Sequence, residues 1–141
     1  MSFGPSIVLA AFGSTYPEAR GTYDDFEKEV RGRLPGHEVR WVFTSSIVRR
    51  VLAEQGLVIR PLGETLEELR EAGSTSAVVQ SLHVTPGGEF ARLASVRVPG
   101  MRVAFGAPLL ATPADRARVV EILGEQVRTD GENIFVAHGN E

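Results

Sequence analysis

The hydrophobic positions of this chain fall into short β-branched runs separated by longer amphipathic stretches. The runs cover residues 7–12, 38–43, 77–82, 102–105 and 134–137. Between them, apolar residues recur every three or four positions among charged ones, as at Ala19, Tyr23, Phe26 and Val30, which is the spacing of one helix face. Strands that alternate with helices pair in parallel. The pattern therefore predicts an α/β fold, a three-layer αβα sandwich with a parallel sheet of four to five strands and the first strand central.

Turn-forming residues mark the ends of the predicted helices. Pro17 suits the first turn of the first helix, and Pro35-Gly36 ends that helix. Thr112-Pro113 begins the last helix, which we expect to run through Val127. His37 follows the Pro35-Gly36 turn, at the end of the sheet opposite the carboxyl ends of the strands, and we expect it to be solvated.

Composition and charge exclude several classes of protein. The 141 residues include no cysteine, which excludes disulfide scaffolds, thiolate nucleophiles and cysteine-held metal or iron–sulfur sites. The net charge of −3 argues against nucleic-acid binding. No apolar run approaches the roughly 20 residues of a membrane span, and no basic segment precedes the first apolar run as in a signal peptide. We therefore expect a cytoplasmic protein with no membrane or nucleic-acid partner.

The two ends of the chain resemble each other. Residues 6–14 and 133–140 both read as an apolar run followed by an aromatic residue or His, a Gly and a small polar residue. One interpretation is that any strand-to-helix turn favours Gly and a capping residue. The other is that a second copy of the domain begins near residue 133. On the second interpretation the chain divides into a first α/β half over 1–132 and an opening strand and turn over 133–141.

Two histidines and a glutamate follow predicted strands at one edge of the sheet. In open parallel sheets, ligands bind beyond the carboxyl ends of the strands, and His83, Glu89 and His138 all lie there. Imidazole and carboxylate together suit a divalent first-row metal or a general acid–base pair. The alternatives are hydrogen-bonded structural histidines and a glutamate favoured by the dipole of a helix N-terminus.

Hydroxyl-rich turns at the same edge could bind an anion. Gly13-Ser14-Thr15 and Thr44-Ser45-Ser46 each open a helix, where free backbone N–H groups favour negative charge. They could equally be ordinary N-caps. Arg49 and Arg50 lie one turn further on and could pair with ligand carboxylates, although neighbours on a helix point in different directions and at least one should be solvated. Neither turn has the glycine pattern of a nucleotide-binding loop.

Five segments, in order along nearly the whole chain, resemble the anaerobic cobalt chelatases of cobalamin biosynthesis. They are residues 9–16, 43–50, 80–84 with 88–90, 106–110 and 137–139. These enzymes are class II chelatases, related to ferrochelatase and to the small homodimeric sirohydrochlorin chelatases. The resemblance implies that Co²⁺ is inserted into sirohydrochlorin, an acidic tetrapyrrole, by a lyase-type reaction. The metal is then a substrate, and no organic cofactor is implied.

The resemblance also implies roles for individual residues. His138 matches the family's catalytic and metal-binding histidine, Glu89 its metal-binding glutamate, and His83 a residue that lines the cleft. The candidates for binding the substrate's carboxylates are Ser14, Thr15, Thr44, Ser45 and Arg49, with His83. A second metal-binding histidine of the family lies in its second half, and no residue here corresponds to it. We therefore expect a fragment or half-enzyme that forms a homo-oligomer or associates with a second half.

Two alternatives to a cobalt chelatase stay open. One is a related chelatase for Ni²⁺ or Fe²⁺, because the affinity order of first-row metals makes sequence a poor guide to the metal. The other is a non-catalytic module that binds a tetrapyrrole or a metal, which the unmatched second histidine favours.

Overall fold

A computed structural model describes residues 4–137 as a four-stranded parallel sheet with five helices. In chain order the elements are β1 (Ser6–Ala11), α1 (Pro17–Arg33), β2 (Val39–Phe43), α2 (Ser46–Glu54), α3 (Leu62–Glu71), β3 (Ser76–Ser81), α4 (Gly88–Ala94), β4 (Arg102–Gly106) and α5 (Pro113–Gly124). The predicted α/β class and parallel sheet are confirmed. None of the helices in residues 4–137 is long and apolar enough to cross a membrane.

The first strand lies inside the sheet, as the sequence predicts. The strand order is β2-β1-β3-β4, and Ile7 of β1 pairs with Val39 on one side and Val78 on the other. Every residue of β1 is buried, as expected for a parallel strand covered by helices on both faces. The loop that follows β1 therefore lies between the loops that follow β2 and β3.

The main core lies on the face of the sheet covered by α3 and α4. Alternate strand residues point to this face and meet one side of α3, one residue of α4 and the segment before β4. Its buried members are Val8, Ala10, Val42, Leu62, Leu66, Leu69, Ala77, Val79, Leu93, Val98 and Met101. This packing holds α4 against the sheet close to the carboxyl ends of β1 and β2.

The opposite face is covered less completely. Ile7, Leu9 and Val39 form a smaller cluster, against which Val30 of α1 packs. Neither α1 nor α5 contributes a fully buried residue. The apolar residues Val120, Ile122 and Leu123 of α5 are about half exposed or more.

The predicted fifth strand over residues 134–137 does not form, and that prediction is wrong. Residues 132–137 have no regular structure, and the side chains of Ile134, Phe135 and Val136 are 85%, 75% and 90% exposed. A strand requires a paired neighbour as well as an apolar sequence, and within residues 4–137 β4 pairs with β3 alone. The last helix also ends at Gly124, before Val127. The division of the chain at residue 133 stays a prediction.

His37 is at the predicted end of the sheet, but it is not simply solvated. It is half-buried, and its Nδ1 donates a hydrogen bond to the carbonyl oxygen of Pro5 at 2.8 Å. The imidazole thereby satisfies a backbone carbonyl that precedes β1. His37 is thus a structural residue, remote from the carboxyl edge of the sheet.

Candidate functional site

The turn after the central strand lies tightly against the neighbouring strand β2. Gly13 has φ +98°, and a Cβ added there would lie 2.6 Å from the Phe43 ring. Only glycine accommodates both that backbone conformation and that close approach. The backbone N–H groups of Thr44 and Ser45 donate to the carbonyls of Ala11 and Phe12 at 2.8 and 3.2 Å. The turns after β1 and β2 are therefore hydrogen-bonded to each other, and together they form the base of the candidate site, called its floor below.

Above this floor, residues from the two flanking strands meet. The Oγ1 atom of Thr44, after β2, lies 3.2 Å from Nε2 of His83, after β3. The other ring nitrogen of His83, Nδ1, lies 2.9 Å from Oγ of Ser81. Both ring nitrogens thus have hydrogen-bond partners, which fixes the orientation of the imidazole at the carboxyl edge of the sheet.

The surroundings of His83 favour its neutral form. Desolvation by partial burial lowers the pKa of His83, and the negative charge of Glu89 opposes this in part. Glu89 is therefore close enough to influence the imidazole electrostatically. A neutral imidazole offers one donor and one acceptor, which matches the two hydroxyl partners.

Arg49 and Arg50 behave differently, as neighbours on a helix should. Nη1 of Arg49 folds back and donates to the carbonyls of Phe43 at 2.5 Å and Thr44 at 3.1 Å. Arg50 is exposed. These two hydrogen bonds attach the Arg49 side chain to the end of β2. Because a guanidinium has five N–H donors, further donors remain for a ligand. The prediction that at least one of the two is solvated is confirmed.

A cavity of about 190 Å³ brings Glu89 together with Thr44 and Arg49. Glu89 lies in the first turn of α4, directly after Gly87-Gly88, and its carboxylate accepts a hydrogen bond from Nη2 of Arg92 in an ion pair. Arg92 lines the same cavity. Two cations, one anion and one hydroxyl therefore share the lining of a small open space beside β2 with six apolar residues.

His83 does not line the cavity beside β2. It lines a second cavity, of about 460 Å³. This larger space lies between the ends of β3 and β4 and α1, and it is more apolar. The backbone N–H of Leu109 donates to the carbonyl of His83 at 3.0 Å, which connects the loops after β3 and β4. The Thr44–His83 hydrogen bond is the link between the two cavities.

The structure gives two of the predicted hydroxyl residues local backbone partners. Ser45 is the N-cap of α2, where its Oγ accepts from the backbone N–H of Val48 at 3.2 Å. Ser14 Oγ accepts from the N–H of Tyr16 at 3.2 Å, and Thr15 beside it is half-buried. Ser45 thus has the N-cap role that the sequence offered as an alternative. Substrate binding by these three residues stays a prediction.

The predicted metal ligands are only partly placed. Glu89 is at the cavity, whereas His138 lies outside the described residues. Over residues 4–137, no group of three or more His, Asp and Glu side chains is arranged to hold a metal ion. From the roles that the resemblance implies, we predict that Glu89 and His138 bind the same ion, and this stays a prediction.

Two polar residues at this edge were missed in the sequence. Arg92 stands three residues after Glu89, the spacing at which helix side chains meet, so the Glu-x-x-Arg pattern could have indicated it. Ser81 is buried at the end of β3 and partners His83. The pattern that could have indicated Ser81 is a polar residue at a strand position that faces the core.

The fold and the polar groups at the carboxyl edge of the sheet together define a class of protein. A parallel α/β sheet gathers imidazole, hydroxyl, guanidinium and carboxylate groups beyond the ends of its strands, where such sheets bind ligands. The model of one protein family, described as cobalt chelatase (CbiK), matches residues 5–141. The chain belongs to the CbiK cobalt chelatase family, which confirms the resemblance found in the sequence.

Two curated proteins are similar over most of the chain. Sirohydrochlorin cobaltochelatase CbiKC from Nitratidesulfovibrio vulgaris (strain Hildenborough) is 37% identical over 143 residues, covering 94% of this chain and 51% of that protein. Sirohydrochlorin cobaltochelatase from Salmonella typhimurium (strain LT2) is 24% identical, covering 95% of this chain and 54% of that protein. The chain spans about half the length of the curated relatives it matches.

Proposed function

We propose that this chain takes part in inserting Co²⁺ into sirohydrochlorin, in the anaerobic branch of cobalamin biosynthesis. Membership of the cobalt chelatase family and the names of the two relatives support this. The observation that carries it is the cavity at the carboxyl edge, which brings the predicted residues Thr44, Arg49 and Glu89 together.

The cationic and hydroxyl groups at this edge suit the acidic substrate. Arg49 is held in place by two backbone carbonyls, so its remaining N–H donors can bind a carboxylate at little cost in side-chain entropy. Thr44 adds a hydroxyl from the adjoining turn, and His83 holds that hydroxyl in place. Ser14, Thr15 and Ser45 extend the same edge and are the further candidates for contacts to the substrate's carboxylates.

Glu89 and His138 are the residues we assign to the metal and to proton transfer. Insertion exchanges two pyrrole N–H protons for one Co²⁺ ion, so a base must accept protons while the ion loses water. The Glu89 carboxylate can hold the ion, and a neutral His138 can hold it or accept a proton. Catalytic metal sites usually supply three protein ligands, so two would bind Co²⁺ weakly.

The remaining predictions on assembly and location belong to the same proposal. Exposed apolar side chains on α5 and at residues 134–136 are the kind of surface that a second copy or a second half would cover. Light scattering of the chain over a range of concentrations tests self-association, and a strict monomer at high concentration would contradict it. A cytoplasmic, lyase-type enzyme follows from the proposed reaction, without an organic cofactor.

An anaerobic absorbance assay with sirohydrochlorin and Co²⁺ tests the proposed function. We expect the wild-type chain to change the tetrapyrrole spectrum faster than the uncatalysed reaction. We expect His138→Ala to slow insertion by about 100-fold or more, the usual contribution of a positioned acid or base. Glu89→Gln should slow it as well. Glu67→Gln, which alters an exposed ion pair on α3, is the matched control and should leave the rate unchanged.

Three outcomes would contradict this assignment. Faster insertion of Ni²⁺ or Fe²⁺ than of Co²⁺ would indicate a related chelatase. Binding of sirohydrochlorin with no insertion would indicate a non-catalytic module. Unchanged Co²⁺ binding in His138→Ala, measured by calorimetry, would indicate that His138 is a structural residue.

A further inference from the structure

The carboxylate predicted to bind the metal is already paired. Glu89 accepts from the guanidinium of Arg92, one turn further along α4. The Arg92 side chain is 74% exposed and that of Glu89 is 34% exposed. The guanidinium therefore reaches the carboxylate from the solvent side, while both line the cavity with Arg49.

The two arginines of this cavity differ in how firmly they are held. Arg49 donates to two backbone carbonyls at the end of β2. Within residues 4–137, the polar partner of the Arg92 side chain is the Glu89 carboxylate. Exposed ion pairs contribute little to stability, so a competing carboxylate can take Arg92 from Glu89.

We propose that Arg92 is a positioning residue that holds Glu89 until a carboxylate of the tetrapyrrole replaces Glu89 on its guanidinium. This inference rests on the proposed function and adds an order to it. The bound substrate's carboxylate pairs with Arg92, and the carboxylate of Glu89 becomes free for the cation. No covalent bond changes in this step; one ion pair is exchanged for another.

The charges of the groups support that order. A guanidinium beside Glu89 both occupies a carboxylate oxygen and repels an arriving divalent cation. Guanidinium groups bind carboxylates through paired N–H donors, and a polycarboxylate substrate supplies several. Because coupling between two ligands is reciprocal, a tetrapyrrole that neutralises Arg92 strengthens Co²⁺ binding at Glu89, and Co²⁺ at Glu89 strengthens tetrapyrrole binding.

The variant Arg92→Met separates this role from an ordinary helix ion pair. Methionine keeps an unbranched apolar side chain on the helix and removes the charge. Arg70→Met is the matched control, because Glu67 and Arg70 form an ion pair of the same spacing and order on α3. Each chain of 141 residues is titrated with Co²⁺ alone by calorimetry, and with sirohydrochlorin alone by absorbance.

We expect the two affinities of Arg92→Met to move in opposite directions. Removing a nearby positive charge should lower the Kd for Co²⁺ by about 3- to 10-fold. Loss of a guanidinium partner should raise the Kd for sirohydrochlorin by about 5- to 10-fold. In the Glu89→Gln background, Arg92→Met should no longer tighten Co²⁺ binding to the same extent, since no carboxylate is left to release. Arg70→Met should change neither Kd by more than about 2-fold.

The outcomes distinguish this inference from the proposed function. If the wild-type chain binds both ligands but Arg92→Met behaves like Arg70→Met, Arg92 is an ordinary surface residue and the proposed function stands. Affinities that move in the same direction also overturn the inference, because they indicate a general disturbance of α4. If the wild-type chain binds neither Co²⁺ nor sirohydrochlorin, the proposed function fails and the inference fails with it.

Discussion

The two faces of the sheet are built to different degrees of completeness. On one face, α3 buries Leu62, Leu66 and Leu69 against the strands, and Leu93 anchors α4 beside them. On the other face, α5 buries no residue. Glu89 and Arg92 lie on the same short helix as Leu93, so the well-packed face is the one that positions this part of the site. Packing against a complete core holds functional groups more firmly than an exposed element can.

The less complete face carries the exposed apolar residues. Those of α5, such as Ile122 and Leu123, add to Ile134, Phe135 and Val136 further along the chain. Large exposed apolar patches often mark interaction sites, and the association proposed above would cover these side chains. The first face thus positions Glu89 and Arg92, whereas the second leaves the apolar residues of α5 exposed.

The largest effect should come from the core of the first face. Leu66 is fully buried, so Leu66→Ala should lower the free energy of unfolding by about 3–5 kcal/mol through lost burial and a cavity. Leu123→Ala, a matched change at a half-exposed position of α5, should cost less than about 1 kcal/mol. Urea denaturation of both variants measures the difference. A similar loss in both, at protein concentrations where the chain is monomeric, would show that α5 is packed within the chain itself and would remove the contrast between the faces.

The turn that forms the floor of the site should be the next most sensitive position. Gly13→Ala would combine a positive φ with a clash against the Phe43 ring, and should cost about 2–4 kcal/mol. Gly73 has an almost identical φ of +97° with no atom within 4 Å of an added Cβ, so Gly73→Ala should cost about 1–2 kcal/mol. The difference in unfolding free energy between the two variants isolates the contact with Phe43. Equal losses would mean that the turn moves away from Phe43 without cost.

The smallest effect concerns the pH dependence of stability near His83. Burial lowers the pKa of His83 below its ordinary value of 6.5. The unfolded chain therefore binds this proton more readily than the folded chain. The resulting contribution to stability is fully present above pH 6.5 and is lost as the pH falls through the lowered folded pKa. As the pH falls from about 7 to about 5, the free energy of unfolding should decrease less in His83→Gln than in the wild type. Urea denaturation at each pH measures this difference. An NMR titration of the wild type that gives His83 a pKa at or above 6.5 would contradict this.

Local sequence patterns determined the α/β class, the four strands and the approximate limits of the helices. They did so because burial periodicity and turn chemistry act over a few residues: the continuous apolar run of β1 specifies a central strand, and the Ser45 hydroxyl specifies the start of α2. They also placed Thr44, Arg49 and Glu89 at one edge, because parallel strands end on the same side.

Tertiary structure alone decided which of those residues touch. The strand order brings Thr44 and His83 together across β1, although 39 positions separate them in sequence. Burial of Leu93 sets the turn of α4 on which Glu89 and Arg92 pair beside Arg49. Residues 134–137 are apolar but form no strand, for the same reason. Pairing and contact depend on which partner lies alongside in space, and no local pattern contains that partner.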